Sequence, residues 1–421
     1  MGKYSEWLKR AGIRRIFLIA ALCLALFPGA AVAGGPVHGA GAAGMGTAFV
    51  AVADDPSAIL FNPGGLTQMR GTSVYGGITA LAPSTTYTSP SGGSETTESR
   101  VFFPGHLYLV SDSGNPDIVF GVGLYSPFGI GGRTWSRTGQ TRYLSTESSI
   151  GTFSVNPTLA WRMTPSVSVA AGIDYMRAAV TMERMIDQSS LGAPDGRSTL
   201  EADGDGWGYN LGALIALRDD LRVGFAYRSR IPIDYQGDMT IENIAPPLQP
   251  LFGSASYATA VRTRSVFPDI WSVGMAYLPV PQVVVDLDVE LVRWSTFARM
   301  DMDILQEVPA AGLVDGSTPL DWKDSLQYKI GLAYQLSDKV SLRTGYAFIK
   351  TSVPDHTLEP GNPDADQHNF SVGAGYRSDE FRTDLFYNYG LYEKRSVQNS
   401  MNSGEYDNTC QYLGLSFGRD F

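Results

Sequence analysis

Four histidines, His38, His106, His356 and His368, are the side chains best suited to proton transfer or metal ligation, and they are scattered along the chain. No HExxH or GxSxG pattern is read with them, so neither a zinc protease nor an α/β-hydrolase site is expected. His106 beside a serine could imitate the centre of a barrel-borne lipase, yet a lone histidine facing a lumen is usually just hydrogen-bonded. Asp54 and Asp55 bring two carboxylates together ahead of Pro56. A carboxylate N-cap followed by proline at the first helical position accounts for them without a metal. No catalytic residue, metal or cofactor is therefore expected. The remaining chemistry is recognition of a charged head group. Arg162, Arg177, Arg228 and Arg343 are expected to face a lumen, and arginine can hold a carboxylate through two parallel hydrogen bonds. The plainer expectation is that most of them pair with the acidic row Asp286, Asp288 and Glu290.

These residues sit in a chain that alternates apolar with small or polar residues from residue 71 onward, the period-two signal of strands with two unlike faces. Val283, Val285, Leu287, Val289 and Leu291 share one face, opposite Asp286, Asp288 and Glu290. Trp271, Val273, Met275 and Tyr277 oppose Ser272, Gly274 and Ala276 in the same way. A charge facing lipid near mid-bilayer costs roughly 2 to 4 kcal/mol, so the charged faces should look into a lumen and the aliphatic faces at lipid. Fourteen strands are expected, near 72–81, 101–110, 117–125, 150–163, 166–181, 205–217, 221–236, 262–278, 282–298, 322–335, 339–350, 366–377, 380–393 and 409–421. Their connections alternate long and short, as an up-and-down membrane barrel requires. The composition agrees: 47 Gly, 21 Tyr and 19 Phe accompany only 18% charged residues. After the leader there is no long apolar run, which excludes a helical membrane protein. A soluble β-sandwich or propeller would share the alternation but not the loop asymmetry.

Ahead of the strands, Lys3, Lys9, Arg10, Arg14 and Arg15 precede the apolar run Ile16 to Phe27 and the small-residue site Ala31-Val32-Ala33, so residues 1–33 read as a cleaved signal peptide. Removing five basic residues and Glu6 takes the net charge from -10 to -14, and nucleic acid is not an expected partner. Cys23 lies in the leader, leaving Cys410 alone and no internal disulfide. Residues 34–71 read as a plug and 72–421 as the barrel. In the plug, Ser57 to Phe61 should form one helical turn, which Asn62-Pro63-Gly64-Gly65 ends with glycines free to take positive φ.

Taken in order, Gly44-Met45-Gly46-Thr47-Ala48, Asn62-Pro63-Gly64, Ser126-Pro127-Phe128-Gly129, Asn156-Pro157-Thr158-Leu159-Ala160, Gly206-Trp207-Gly208-Tyr209-Asn210, Tyr227-Arg228-Ser229, Phe267-Pro268-Asp269, Arg343-Thr344-Gly345-Tyr346 and Pro363-Asp364 resemble the FadL/TodX family of transporters for long-chain fatty acids and other hydrophobic compounds. The resemblance spans nearly the whole mature chain, with Gly64 where the family has alanine. It implies an all-β fold, a fourteen-stranded antiparallel transmembrane β-barrel plugged by a small N-terminal hatch. It also implies a bacterial outer-membrane location, uptake by facilitated diffusion, and release sideways through the wall.

On that basis Phe61, Asn62, Pro63 and Gly64 are the expected gating residues. Prolines cannot donate to a ladder, so Pro127, Phe128, Gly129 and Pro157 mark the expected lateral opening. Met182, Met185, Ile186, Ile244, Leu248, Leu251 and Phe252 are expected to form an outer groove for a fatty acid or hydrocarbon. Lipid and lipopolysaccharide should surround a monomer, and the terminal Phe421 resembles the signal read by the barrel-assembly machinery. Two other readings are a receptor or adhesin acting through the long loops, and a transporter dedicated to aromatic hydrocarbons.

Overall fold

The computed structural model describes residues 38–421 apart from 113, 400 and 401; the expected leader and residues 34–37 lie outside them. Fourteen antiparallel staves close into a barrel. The first six are β1 (Thr72–Thr88), β2 (Ser94–Thr96 and Gly105–Ser111), β3 (Ile118–Tyr125 and Ile130–Thr134), β4 (Glu147–Thr164), β5 (Val167–Ile186) and β6 (Gly196–Arg218). Four more, each in two pieces, are β7 (Leu221–Arg228 and Ile231–Glu242), β8 (Tyr257–Phe267 and Ile270–Val280), β9 (Val283–Val292 and Arg299–Ile304) and β10 (Gly316–Pro319 and Ser325–Gln335). The last are β11 (Val340–Ile349), β12 (Gln367–Arg377), β13 (Phe381–Tyr392) and β14 (Ser403–Asp420). The seam is β1 against β14, paired from Ser73↔Asp420 to Thr88↔Glu405.

The expected faces are present. Trp271, Val273, Met275 and Tyr277 on β8 and Leu326, Tyr328, Ile330, Leu332 and Tyr334 on β10 are exposed on the outside, while Asp286, Asp288 and Glu290 are buried inside. Aromatic pairs such as Tyr175 with Trp207 (4.9 Å) and Tyr227 with Trp271 (4.4 Å) girdle the outer surface. Several staves outrun their expected lengths. β5 and β6 continue to Ile186↔Gly196, so the connection expected over 182–204 shrinks to residues 187–195, and Met182, Met185 and Ile186 are strand residues rather than loop residues. Residues 395–398 form an extra strand on β14 within another expected loop.

β7 to β10 are all interrupted at one level. Asp269 gathers that break, accepting from Arg230 Nε at 2.7 Å and Trp271 Nε1 at 3.0 Å. The first described stretch, residues 38–70, lies inside the barrel as α1 (Ala40–Gly44), α2 (Ala58–Phe61) and a 3-10 turn (Pro63–Gln68). α2 begins one residue later than expected. The Asp55 carboxylate accepts from Ser57 N at 2.8 Å, closing a local turn instead of capping the helix.

Candidate functional site

Backbone and wall meet directly at the level of the plug. The Asp288 Oδ2 atom accepts from Phe49 N (2.7 Å) and Val50 N (3.0 Å), and Asp286 Oδ2 accepts from Ala51 N (3.3 Å) and Val52 N (3.1 Å). Two carboxylates on β9 thus hold four successive amides of the plug. This corrects the expectation that these carboxylates pair with arginine; in that row only Glu290 has a cation, Lys329 at 3.3 Å. Around the same level, Gly212, Gly224, Gly274, Gly331, Gly345 and Gly373 form an inner belt where a Cβ would run into the plug. Asn62 is the second anchor. It is extended (φ -157), its Oδ1 accepts from Gly64 N at 3.1 Å, and its Nδ2 donates to Val50 O at 2.7 Å and to Ala213 O of β6 at 2.9 Å. Neither Gly64 nor Gly65 takes the positive φ expected of it. Close approach is the reason for glycine here: a Cβ on Gly64 would sit 2.9 Å from the Ala213 carbonyl carbon. Phe61 packs edge-on against Phe49 at 5.6 Å.

The four arginines are already engaged. Buried Arg228 pairs with Asp174 and donates to Tyr125 Oη at 2.9 Å; Arg343 pairs with Asp384 at 2.7 Å; Arg162 donates to the Thr67 carbonyl. Arg177 is a correction. It lies on the outer face of β5, 66% exposed and bonded to Asp203 at 2.8 Å. Beyond the girdle the outer surface can be polar, so alternation there no longer sorts charge to the lumen.

The wall itself has a gap. Pairing of β2 with β3 ends at Leu107↔Leu124, and the next backbone bond between these staves among the described residues is Glu98 N to Thr134 O at 2.8 Å. Between those points stand Val101 and Phe103, both exposed, on one side and Ser126, Pro127, Phe128 and Gly129 on the other. Gly129 has φ +53, a conformation that glycine takes without strain. Phe128 turns inward, stacked on Phe267 at 5.0 Å. Pro157 is not at this gap. It pairs with Val122 of β3, and on its other side Asn156 Nδ2 donates to Ile173 O at 2.7 Å, replacing the amide that proline lacks.

From inside, the gap is backed by His38, whose Nε2 lies 2.7 Å from Ser126 O. Burial lowers its pKa to about 4, keeping the ring neutral at physiological pH. The next ring is His106, 5.9 Å away, with Nε2 at 3.0 Å from Ser416 Oγ. The expectation that no GxSxG pattern is present is corrected: Gly414-Leu415-Ser416-Phe417-Gly418 has that spacing, but it runs straight through strand β14. A nucleophile elbow is a strand-to-helix turn; here Ser416 Oγ accepts from Ala40 N at 3.0 Å and the second histidine nitrogen has no acidic partner.

Above the plug the lumen is apolar. Met176, Val180, Leu200, Ile231, Ile233 and Phe267 are its buried members, with Phe128 and Met182 packed among them. Residues 351–365, expected as an outer loop, fold into the mouth. There Val353 and Leu358 pack with Trp135, whose Nε1 donates to Pro360 O at 2.9 Å. Beside the mouth the loops 187–195 and 243–256 are tied together by Gln188, which accepts from Ala245 N at 2.7 Å and donates to Asn243 O at 2.8 Å. Of the groove residues, Ile244 is buried, Leu248 and Phe252 are half-buried and Leu251 is exposed; the last three lie at α3 (Gln249–Phe252).

A closed barrel with an apolar outer belt, an internal plug and an apolar upper lumen defines a plugged transport barrel of a bacterial outer membrane. A family model described as "Outer membrane protein transport protein (OMPP1/FadL/TodX)" matches residues 22–421, and the chain belongs to that family. Among curated proteins it is 25% identical over 391 residues to a long-chain fatty acid transport protein of Escherichia coli O6:H1, covering 80% of this chain and 82% of that one. Among solved structures, a Pseudomonas aeruginosa FadL homologue has TM-score 0.81 at 18% identity, with 94% of this chain and 100% of that one covered. The toluene transporter TodX of Pseudomonas putida has TM-score 0.70 at 17% identity, covering 87% and 94%. The protein is an outer-membrane transporter of hydrophobic compounds and not an enzyme.

Proposed function

We propose that this protein carries long-chain fatty acids inward by facilitated diffusion. Ligand is gathered at the loop tips beside the mouth, enters the apolar upper lumen, and leaves sideways through the gap between β2 and β3 once residues 38–44 withdraw. One observation carries the reading: Phe128 borders the gap and is also a member of the apolar lumen cluster, so the two are contiguous. A sixteen-carbon chain gains about 0.8 kcal/mol per buried methylene, so an apolar lumen can hold it and a movable plug must release it. The low identities to relatives with different ligands make toluene the comparison of choice.

The test is a reversible lock. A Cβ on Gly44 would lie 3.4 Å from Arg343 Cβ, close to the spacing of a disulfide. The Gly44→Cys, Arg343→Cys double variant should take up labelled oleate when reduced and stop when oxidised, with Arg343→Cys alone as control. Equal uptake in both redox states would sink the moving plug. Uptake of toluene without oleate would keep the route and change the cargo, and no saturable uptake of either would end the transport reading of this lumen.

A further inference from the structure

The engaged arginines leave open what reads the polar end of a ligand, and the groups behind the gap answer it. His38 Nδ1, His106 Nδ1 and Tyr108 Oη are all buried and none has a protein partner. They sit on consecutive rings, His38 to His106 at 5.9 Å and His106 to Tyr108 at 5.6 Å, a row running inward from Ser126. A carbonyl only accepts, so His38 Nε2 carries the proton of its bond to Ser126 O, and Nδ1 of the neutral ring is a lone pair. The Tyr108 hydroxyl can donate. Charged groups of both signs flank the row: Arg382 lies over the Tyr75 ring at 5.8 Å, with Asp55 and Asp384 beside it. Asp384 accepts from Tyr75 Oη at 3.0 Å and binds Arg343, and on the other flank Tyr125 leads to the Arg228 and Asp174 pair. An anion lodged here would face the Asp55 and Asp384 carboxylates as well as these arginines, whereas a neutral O–H group would find an acceptor and a donor. Buried polar atoms are normally satisfied, and apolar rings would fill these positions at no such penalty.

We propose that His38, His106 and Tyr108 form a head-group site at the exit, which hydrogen-bonds the neutral O–H end of an amphipathic ligand, a protonated carboxylic acid or an alcohol. The site rests on the lateral-exit reading above. It gives the ligand a polar foothold beside the gap while the plug is docked, so the head group leads and the alkyl chain trails in the apolar lumen when His38 withdraws with residues 39–44.

The experiment compares hexadecanol, palmitic acid, methyl palmitate and hexadecane, by equilibrium binding to protein in nanodiscs and by uptake into cells. Methyl palmitate accepts hydrogen bonds but cannot donate one. The wild type should favour hexadecanol and palmitic acid over methyl palmitate. Tyr108→Phe, which removes one oxygen atom and leaves the barrel wall unaltered, and His38→Phe should each reduce that preference about 5- to 10-fold, the loss of one hydrogen bond. Hexadecane binding should stay unchanged, and His38→Gln, which keeps an acceptor, should restore the preference. Unaltered preference in both Phe variants overturns the site while leaving the transporter intact if uptake persists. If no ligand enters cells but the variants still lose the preference in binding, the head-group site stands and the exit route falls.

Discussion

Removing the Asp288 carboxylate is the sharpest test of how the plug is held. In Asp288→Ala the amides of Phe49 and Val50, now bonded at 2.7 and 3.0 Å, lose their acceptor inside the barrel. Each orphaned buried donor costs about 1 to 3 kcal/mol, so the docked plug loses about 2 to 6 kcal/mol, toward the lower end if water enters the space left by the carboxylate. At about 3 kcal/mol the undocked population rises roughly 150-fold. Hydrogen exchange followed by mass spectrometry reads this directly. Peptides spanning residues 45–53 should exchange about a hundred times faster than in the wild type, while peptides from β12 to β14 keep their protection. Asp286→Ala should act similarly through Ala51 and Val52, and more weakly, because its bonds are longer at 3.3 and 3.1 Å. Wild-type protection of residues 45–53 in an Asp286→Ala, Asp288→Ala double variant, with the barrel folded, would refute the idea that these carboxylates retain the plug.

Acidity should act on the plug through two opposed groups. Asp55 has its pKa raised to about 6 by burial, so its contribution to docking is full below the ordinary 3.8 and is lost as pH rises through 6. His38 is lowered to about 4, so its contribution is full above 6.5 and is lost as pH falls through 4. The opening equilibrium of the plug, taken from exchange between pH 7 and 4 after correction for the intrinsic amide rate, should therefore rise on acidification in Asp55→Asn and fall in His38→Gln; identical slopes in the two variants would contradict the assignment. Gly345→Ala should displace the plug, since its Cβ would collide with the backbone of Met45 and Gly46, and planar-bilayer recordings should show ion currents absent from the wild type. Trp135→Ala should loosen residues 351–365 by about 3 to 5 kcal/mol, the usual range for truncating a buried tryptophan, and limited proteolysis at that segment should accelerate without loss of the barrel.

The wall was legible because a membrane imposes one rule on every stave: apolar residues outward, at period two. β8 and β10 follow it, so their faces could be assigned from spacing alone. Arg177 was misplaced because β5 runs past the girdle, where the rule lapses. Pro157 was misplaced because a missing backbone donor looks like a break in sequence, and nothing in the spacing reveals that Asn156 supplies the bond. The carboxylates of β9 were correctly turned inward and wrongly partnered. Their partners are backbone amides of the plug, which every residue but proline carries and no pattern marks. The gap was half legible, in Ser126 to Gly129, but the opposite rim at Val101 and Phe103 reads as the start of a strand expected over 101–110, whereas the ladder begins only at Gly105.

The glycine belt bears on why cargo should leave by the side. The six belt positions carry no side chains, so with the plug gone the bore at that height would be narrowed only by the inward side chains of other staves, Asp286 and Asp288 among them. Such a bore would pass water, ions and small solutes, and the envelope would lose its selectivity each time a lipid went through. On the proposed lateral route, the stopper would keep its seat along the axis. The proposed lateral route spares it, since a doorway in the wall would need a shift only of the few residues at the stopper's leading end, beside Ser126.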